Sequence, residues 1–410
     1  MRLLLILPTH TYQADAYMAA ARKLGVELTV ASEVDSTFSK LDYEGLLTLD
    51  FCDPQAAADV VEEFAKRHPV NAVFGVDDRT AVVAAHVAER LSLPHSPVEA
   101  VEAAGDKLLQ RRKLASGGVR VPAFELATLD DRPSRPRALA PPYPVVLKPL
   151  TLSASRGVIR ADNEDEFDRA ASTIRKILSE EKADGREQHV LIEQYVSGKE
   201  YAVEGVVLEG GFHAYTIFEK PDPLDGPYFE ETIYLTPARI GEADKRVIVE
   251  AVRDAVLALG LTHGPVHAEV RVNDDGVWLI ELAARPIGGK CGRVLRFADA
   301  GAEVTLEELN LRLTLDRDAV IPVRETAATG VMMIPIPHPG VLRAVEGVEA
   351  ALAVPKVTDV MITIPLGTAL RRLPYESRYL GFIFARAETS TEVEAAIRSA
   401  HAELRFTIPD

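Results

Sequence analysis

Val266-His267-Ala268-Glu269-Val270-Arg271-Val272-Asn273-Asp274-Asp275-Gly276-Val277-Trp278-Leu279-Ile280-Glu281-Leu282-Ala283-Ala284-Arg285-Pro286-Ile287-Gly288-Gly289 is the stretch on which the reading of this chain turns. Residues 266–272 alternate as a strand, 273–276 carry hairpin-turn chemistry, and 277–282 return as a second strand. Such a hairpin brings Glu269 and Glu281 side by side, although they lie far apart along the chain. Two adjacent carboxylates repel each other unless a cation or positive side chains intervene, and Mg²⁺ takes oxygen ligands of this kind. Arg285 and the pair Gly288-Gly289 follow at once, a composition suited to a charged phosphate beside a metal. The plainer alternative is a solvated hairpin with a surface salt bridge.

Working outward, residues 190–205 read as strand, turn, strand, with Glu200, Ala202 and Glu204 on one face by period-two alternation. Residues 144–148 form a strand ending in Lys148, followed by a loop containing Ser153, Ser155, Arg156 and Gly157. Small hydroxyl residues with one glycine can fold over phosphate, although they also make ordinary turns, and the loop lacks the Gly-Lys-Ser/Thr ending of a P-loop. A helix is expected over 98–114. Prolines 133, 136, 141, 142 and 144 mark 130–144 as a connection between lobes.

The first hundred residues alternate short apolar strands (3–7, 26–31, 45–49, 72–75) with helices (15–24, 54–67, 79–91), the pattern of a parallel sheet covered on both faces. Asp35 follows the second of these strands. The turn after the first strand, 8–12, has no glycine, which argues against a dinucleotide site. His10, Asp50, Asp77 and Asp78 lie where such sheets place ligands, with helix capping and solvation as the competing explanation. Toward the C-terminus, 331–337, 360–364 and 379–385 read as strands and 390–404 as an amphipathic helix.

With 62 acidic against 46 basic side chains and a net charge of −16, the chain is a poor candidate for coating nucleic acid. Its apolar runs are too short to span a bilayer, and two cysteines are too few for a disulfide scaffold. A cytoplasmic location, without nucleic-acid or membrane partners, is the expectation.

The order and spacing of these features resemble the ATP-grasp superfamily, and within it the carboxylate–amine ligases typified by bacterial L-amino acid ligases. The resemblance implies an α/β, three-lobed architecture. An N-terminal parallel-sheet domain would cover 1–100, a nucleotide-binding region 101–315 with a mobile small lobe at 120–195, and a C-terminal lobe 316–410 completing the substrate cavity. By the same resemblance Lys107 and Lys148 contact phosphate, and the loop with Ser153, Ser155, Arg156 and Gly157 closes over it. Glu193, Gln194, Tyr195 and Val196 form the hinge that reads adenine through backbone groups, and Glu200 holds the ribose. Glu269 and Glu281 would bind Mg²⁺, with Mn²⁺ as an alternative, and Arg285 would stabilise the transferred phosphate.

Many relatives carry Asn two residues after the second acid, where this chain has Ala283, so Glu281 would serve both ions with water completing the shell. On the substrate side, Glu230 or Glu231 would meet an ammonium group, Tyr228 or Phe229 would wall a side-chain pocket, and Gly288 and Gly289 would border it. His267 would reach substrate or phosphate, or else be a neutral buried histidine. Arg293 and Arg296 would hold a carboxylate or lie on a helix surface. The implied reaction joins small carboxylate and amine substrates, amino acids to a dipeptide, using ATP through an acyl phosphate and releasing ADP and phosphate. A carboxylase or formate-dependent transferase acting on a nucleotide precursor, and more remotely a non-catalytic nucleotide-binding protein, are the competing readings. The family also implies a homodimer.

Overall fold

The computed structural model describes residues 1–34, 45–129, 141–180, 189–316 and 318–409. Asp35 and most of the connection expected at 130–144, with Pro133 and Pro136, lie outside them.

The N-terminal domain is a four-stranded parallel sheet in the order Leu46–Thr48, Glu27–Ser32, Arg2–Ile6, Ala72–Gly75. Its central strand is apolar from Leu3 to Ile6 because both faces are covered. Leu4 and Ile6 pack against Val61 and Val83 on one side, while Leu3 and Leu5 pack against Tyr17 and Phe74 on the other. Leu311, from helix Leu306–Leu315, joins the second face and ties this domain to the middle of the chain. Asp77 caps helix Asp78–Arg90 in a capping box with Thr80.

A small lobe follows, an antiparallel sheet in the order Phe124–Thr128, His189–Gln194, Val145–Pro149, Ile159–Ala161. Helix Glu164–Glu180 covers it by burying Phe167, Ala171 and Ile174.

The main sheet has eight strands: Gly276–Ala283, Gly264–Asn273, Lys199–Leu208, Gly211–Glu219, Ile233–Thr236, Ala328–Ile334, Gly381–Ala387, Val357–Ile362. All neighbours are antiparallel. Alternation sorts its residues: Val203 and Val207 face helix Glu242–Leu259, whereas Ala202 and Val206 face Leu309 and Val331. The last three strands come from beyond residue 316, so the boundary expected there does not divide the sheet. The helix expected over 98–114 is two helices, Val98–Gly105 and Lys107–Ser116. Asp106 breaks them by taking extended dihedrals and accepting from the backbone N–H groups of Leu108 and Leu109, each at 3.0 Å. None of the described helices is long and apolar enough to cross a membrane.

Candidate active site

Between the small lobe and the main sheet lies a cleft of about 680 Å³. From the small lobe, Lys148, Ser153, Ser155, Glu193, Gln194, Tyr195 and Val196 line it; Lys107, Glu200, Glu269 and Glu281 line it from the main body. Lys107 is the first residue of its helix, and its Nζ donates to the Leu152 carbonyl at 2.6 Å, at the root of the serine loop. In that loop Ala154, Ser155 and Gly157 have left-handed backbones, and a Cβ at Gly157 would stand 2.7 Å from Pro149 Cγ. Arg156 turns away from the cleft. Its Nε donates to the Tyr375 carbonyl, and Gly157 N–H donates to Pro374 O, so the loop is docked on the C-terminal segment. In the hinge, Gln194 and Tyr195 donate their N–H groups to Ala123 O and Pro144 O, and Val196 O accepts from Arg271.

The side chain of Glu193 is buried between Arg111 at 2.6 Å and Lys148 at 2.7 Å. Burial pushes its carboxyl up, but Arg111 and Lys148 outweigh it and hold the group below the usual range. Glu200 is likewise enclosed by cations, with Lys220 Nζ at 2.8 Å and Arg271 Nε at 2.8 Å.

Glu269 and Glu281 stand directly opposite each other in the hairpin, whose two-residue loop is Asp274-Asp275. Lys220 Nζ lies 2.6 Å from Glu269, 2.7 Å from Glu231 and 2.8 Å from Glu200, bridging three carboxylates. Burial alone would lower the Lys220 ammonium, yet these acids hold it well above its ordinary value. Burial and the charge of Glu269 push Glu231 up, whereas Lys220 and His267 overcome burial to hold Glu269 well below. His267 Nδ1 is 3.3 Å from Glu204 and its Nε2 is 3.8 Å from Glu269. Burial disfavours its charge, but the two acids outweigh that and raise its pKa to about 9.

A second cleft, about 1890 Å³, adjoins the first across the wall formed by Glu231, Glu269 and Glu281. It is walled by the N-terminal domain (His10, Tyr12, Asp78), by His267, Arg285, Gly288 and Gly289, and by Tyr379 and Phe382 of the C-terminal part. Arg285 Nε meets Asp78 at 3.1 Å. Burial opposes its charge, but Asp78 and Glu281 more than offset that and raise its pKa. Asp77 lines the same cleft while capping its helix, whereas Asp50 accepts from Cys52 N in a turn and borders neither cleft.

Five residues expected at the substrate do not line the second cleft. Phe229 lines the first cleft, with the Arg271 guanidinium 5.6 Å from its ring. Tyr228 is largely exposed and bridges to Ile159 on the outer side of the small lobe. Glu230 borders neither of the two clefts; burial raises its carboxyl against the pull of Arg372. Arg293 pairs with Asp359 at 2.6 Å and, with Arg296, borders a separate cavity beside helix Ala14–Lys23. The side chain of a strand or loop residue follows local twist and packing, which sequence alternation does not resolve.

Sequence reasoning passed over Arg111, Lys220 and Arg271. Arg271 was within reach, because it stands two residues after Glu269 and pairs in register with Glu200. Arg111 sits in the basic run Gln-Arg-Arg-Lys, which reads as helix surface until its burial is seen.

Three family descriptions match this chain: ATP-grasp N-terminal domain over residues 18–95, ATP-grasp domain over 141–294, and L-amino acid ligase C-terminal domain 2 over 332–408. With the fold and the two-cleft site, they place the chain in the ATP-grasp superfamily. Within that superfamily its kinship is to the bacterial L-amino acid and D-alanine–D-alanine ligases. The crystal structure of an L-amino acid ligase from Bacillus licheniformis superposes with a TM-score of 0.82 at 25% identity, covering 100% of this chain and 99% of that one. Alanine–anticapsin ligase of Bacillus subtilis is 30% identical over 254 residues, 56% of this chain and 52% of the relative, so the alignment spans about half of that protein. An N5-carboxyaminoimidazole ribonucleotide synthetase from Thermotoga maritima shares the fold at a TM-score of 0.69 and 17% identity, covering 100% and 99% of the two chains.

Proposed function

We propose that this chain is an ATP-dependent carboxylate–amine ligase that joins two amino acids, activating one carboxylate as an acyl phosphate and releasing ADP and phosphate. The observation that carries this reading is the acidic wall of Glu269 and Glu281 shared by the two clefts. A phosphate bound on the Lys148 side would face a carboxylate bound on the Arg285 side.

A carboxylate is a poor acylating agent, because its carbon is shielded by negative charge and its leaving group would be oxide. Transfer of phosphate to its oxygen makes a group that can depart when an amine attacks the carbon. Lys148 and Arg285 face the charge that builds during the transfer. Glu269 and Glu281, paired in register and lining both clefts, offer carboxylates of the kind Mg²⁺ takes; Lys220 already takes one oxygen each of Glu200, Glu231 and Glu269, which leaves the side toward Glu281 for the ion. Bound there, Mg²⁺ would offset phosphate charge. Glu231, at the wall of both clefts, is placed to meet the ammonium of the second substrate. Docking of the serine loop on Pro374 and Tyr375 keeps water from the mixed anhydride.

The test is a magnesium-dependent phosphate-release screen over pairs of amino acids, with mass spectrometry on each positive mixture. ADP, phosphate and a product equal to both substrates minus water are expected. ADP formation only with a carboxylate and amine that are not amino acids would overturn the substrate assignment while keeping the chemistry.

A further inference from the structure

A chain of buried ion pairs runs along the floor of the nucleotide cleft, and its far end has no part in the chemistry above. Lys148 Nζ meets one oxygen of Glu193 at 2.7 Å, and Arg111 Nε meets the other at 2.6 Å. The three side chains are 9%, 2% and 2% exposed. Arg111 reaches this point from helix Lys107–Ser116 and is clamped there: its Nη2 donates to the carbonyl of Ile280, one residue before Glu281. Its neighbour Gln110 grips the same strand, donating to Leu282 O at 2.6 Å and accepting from Leu282 N at 3.1 Å.

Two cations on one carboxylate leave a net charge of +1. With Lys148 as its sole partner, Glu193 would be stranded as an unpaired buried anion whenever Lys148 turned to a phosphate, and that penalty would hold the lysine back. With Arg111 fixed beside it, Glu193 stays compensated. We infer that Arg111 is a positioning residue for nucleotide binding: it neutralises Glu193 so that the Lys148 charge is available to a triphosphate. This rests on the nucleotide reading of the first cleft.

Calorimetric titration of the full chain with ATP, and separately with adenosine, tests it in wild type, Arg111→Met, Glu193→Gln and the double variant. Arg111→Met should weaken ATP by roughly tenfold or more, the worth of one charge-assisted hydrogen bond, because Lys148 is then held by Glu193. Adding Glu193→Gln releases Lys148 and should return ATP affinity to within about threefold of Glu193→Gln alone. Adenosine, which carries no phosphate, should bind wild type and Arg111→Met alike, and the double variant as it binds Glu193→Gln. The double variant removes one cation and one anion together and leaves only Lys148, which lines the cleft, so it keeps the comparison with Glu193→Gln open where Arg111→Met alone folds poorly. ATP affinity unchanged in Arg111→Met, a double variant as weak as the single, or adenosine lost in parallel with ATP would each overturn the inference. A wild-type chain that binds adenosine and ATP equally well would overturn the phosphate role of Lys148 and the inference with it.

Discussion

Lys220 shows how much a single side chain carries here. Its ammonium is the common partner of Glu200, Glu231 and Glu269, whose oxygens gather within 4.8 Å of one another. Replacing it by Met leaves three carboxylates crowded, Glu200 buried and Glu231 and Glu269 partly so, and removal of one partner from a buried cluster costs up to about 3–5 kcal/mol. Urea unfolding of Lys220→Met should show a loss of this size, and added Mg²⁺ should recover more stability in the variant than in wild type. An equal response of both proteins to Mg²⁺ would reject the electrostatic account. At this scale the hairpin that bears Glu269 and Glu281 was legible, but its two-residue turn alone would set Glu269 against Ile280, and it is a β-bulge between Glu269 and Val270 that brings Glu281 opposite. Lys220 and Arg111 were not, since a lone basic residue carries no local sign of being buried among acids from distant strands.

Elements were read well where periodicity was long and caps were present, as in helix Ser390–Glu403 with its Thr389/Glu392 capping box. The failure at 98–114 is instructive. The apolar pattern runs on through Asp106, but the carboxylate there competes for the backbone and starts a new helix at Lys107. That break gives Lys107 its place under the serine loop. Asp106→Ala removes the acceptor for two helix N–H groups and should lower stability by about 1 kcal/mol in denaturant unfolding. A wild-type midpoint would show that the cap contributes nothing to the break.

Across the whole molecule, Arg239 pins the main sheet to the C-terminal helix, reaching Glu219 at 2.8 Å and Glu394 at 2.7 Å. Burial raises the Glu219 carboxyl, but Arg239 outweighs it and holds the group below its ordinary value. A depressed carboxylate stabilises the fold fully above the unfolded value of about 4.3, and that contribution is lost as the pH falls through the lower folded value. Arg239→Met should therefore melt earlier at neutral pH and show a shallower decline between roughly pH 5 and pH 3. A decline parallel to wild type would remove Glu219 from the acid sensitivity of the fold.

Hydrophobic period and turn chemistry were enough to determine the α/β character of the first hundred residues and the hairpin that bears Glu269 and Glu281, because these are local properties of strands, helices and hairpins. Tertiary structure alone decided that strands beyond residue 316 complete the main sheet, that the first domain supplies Asp78 to Arg285, and that Lys148, Glu193 and Arg111 form one buried chain of charge. The physical reason is that burial and long-range pairing depend on which distant surfaces meet, and charges far apart along the chain, such as Arg111 and Glu193 or Asp78 and Arg285, acquire their partners only when those surfaces close.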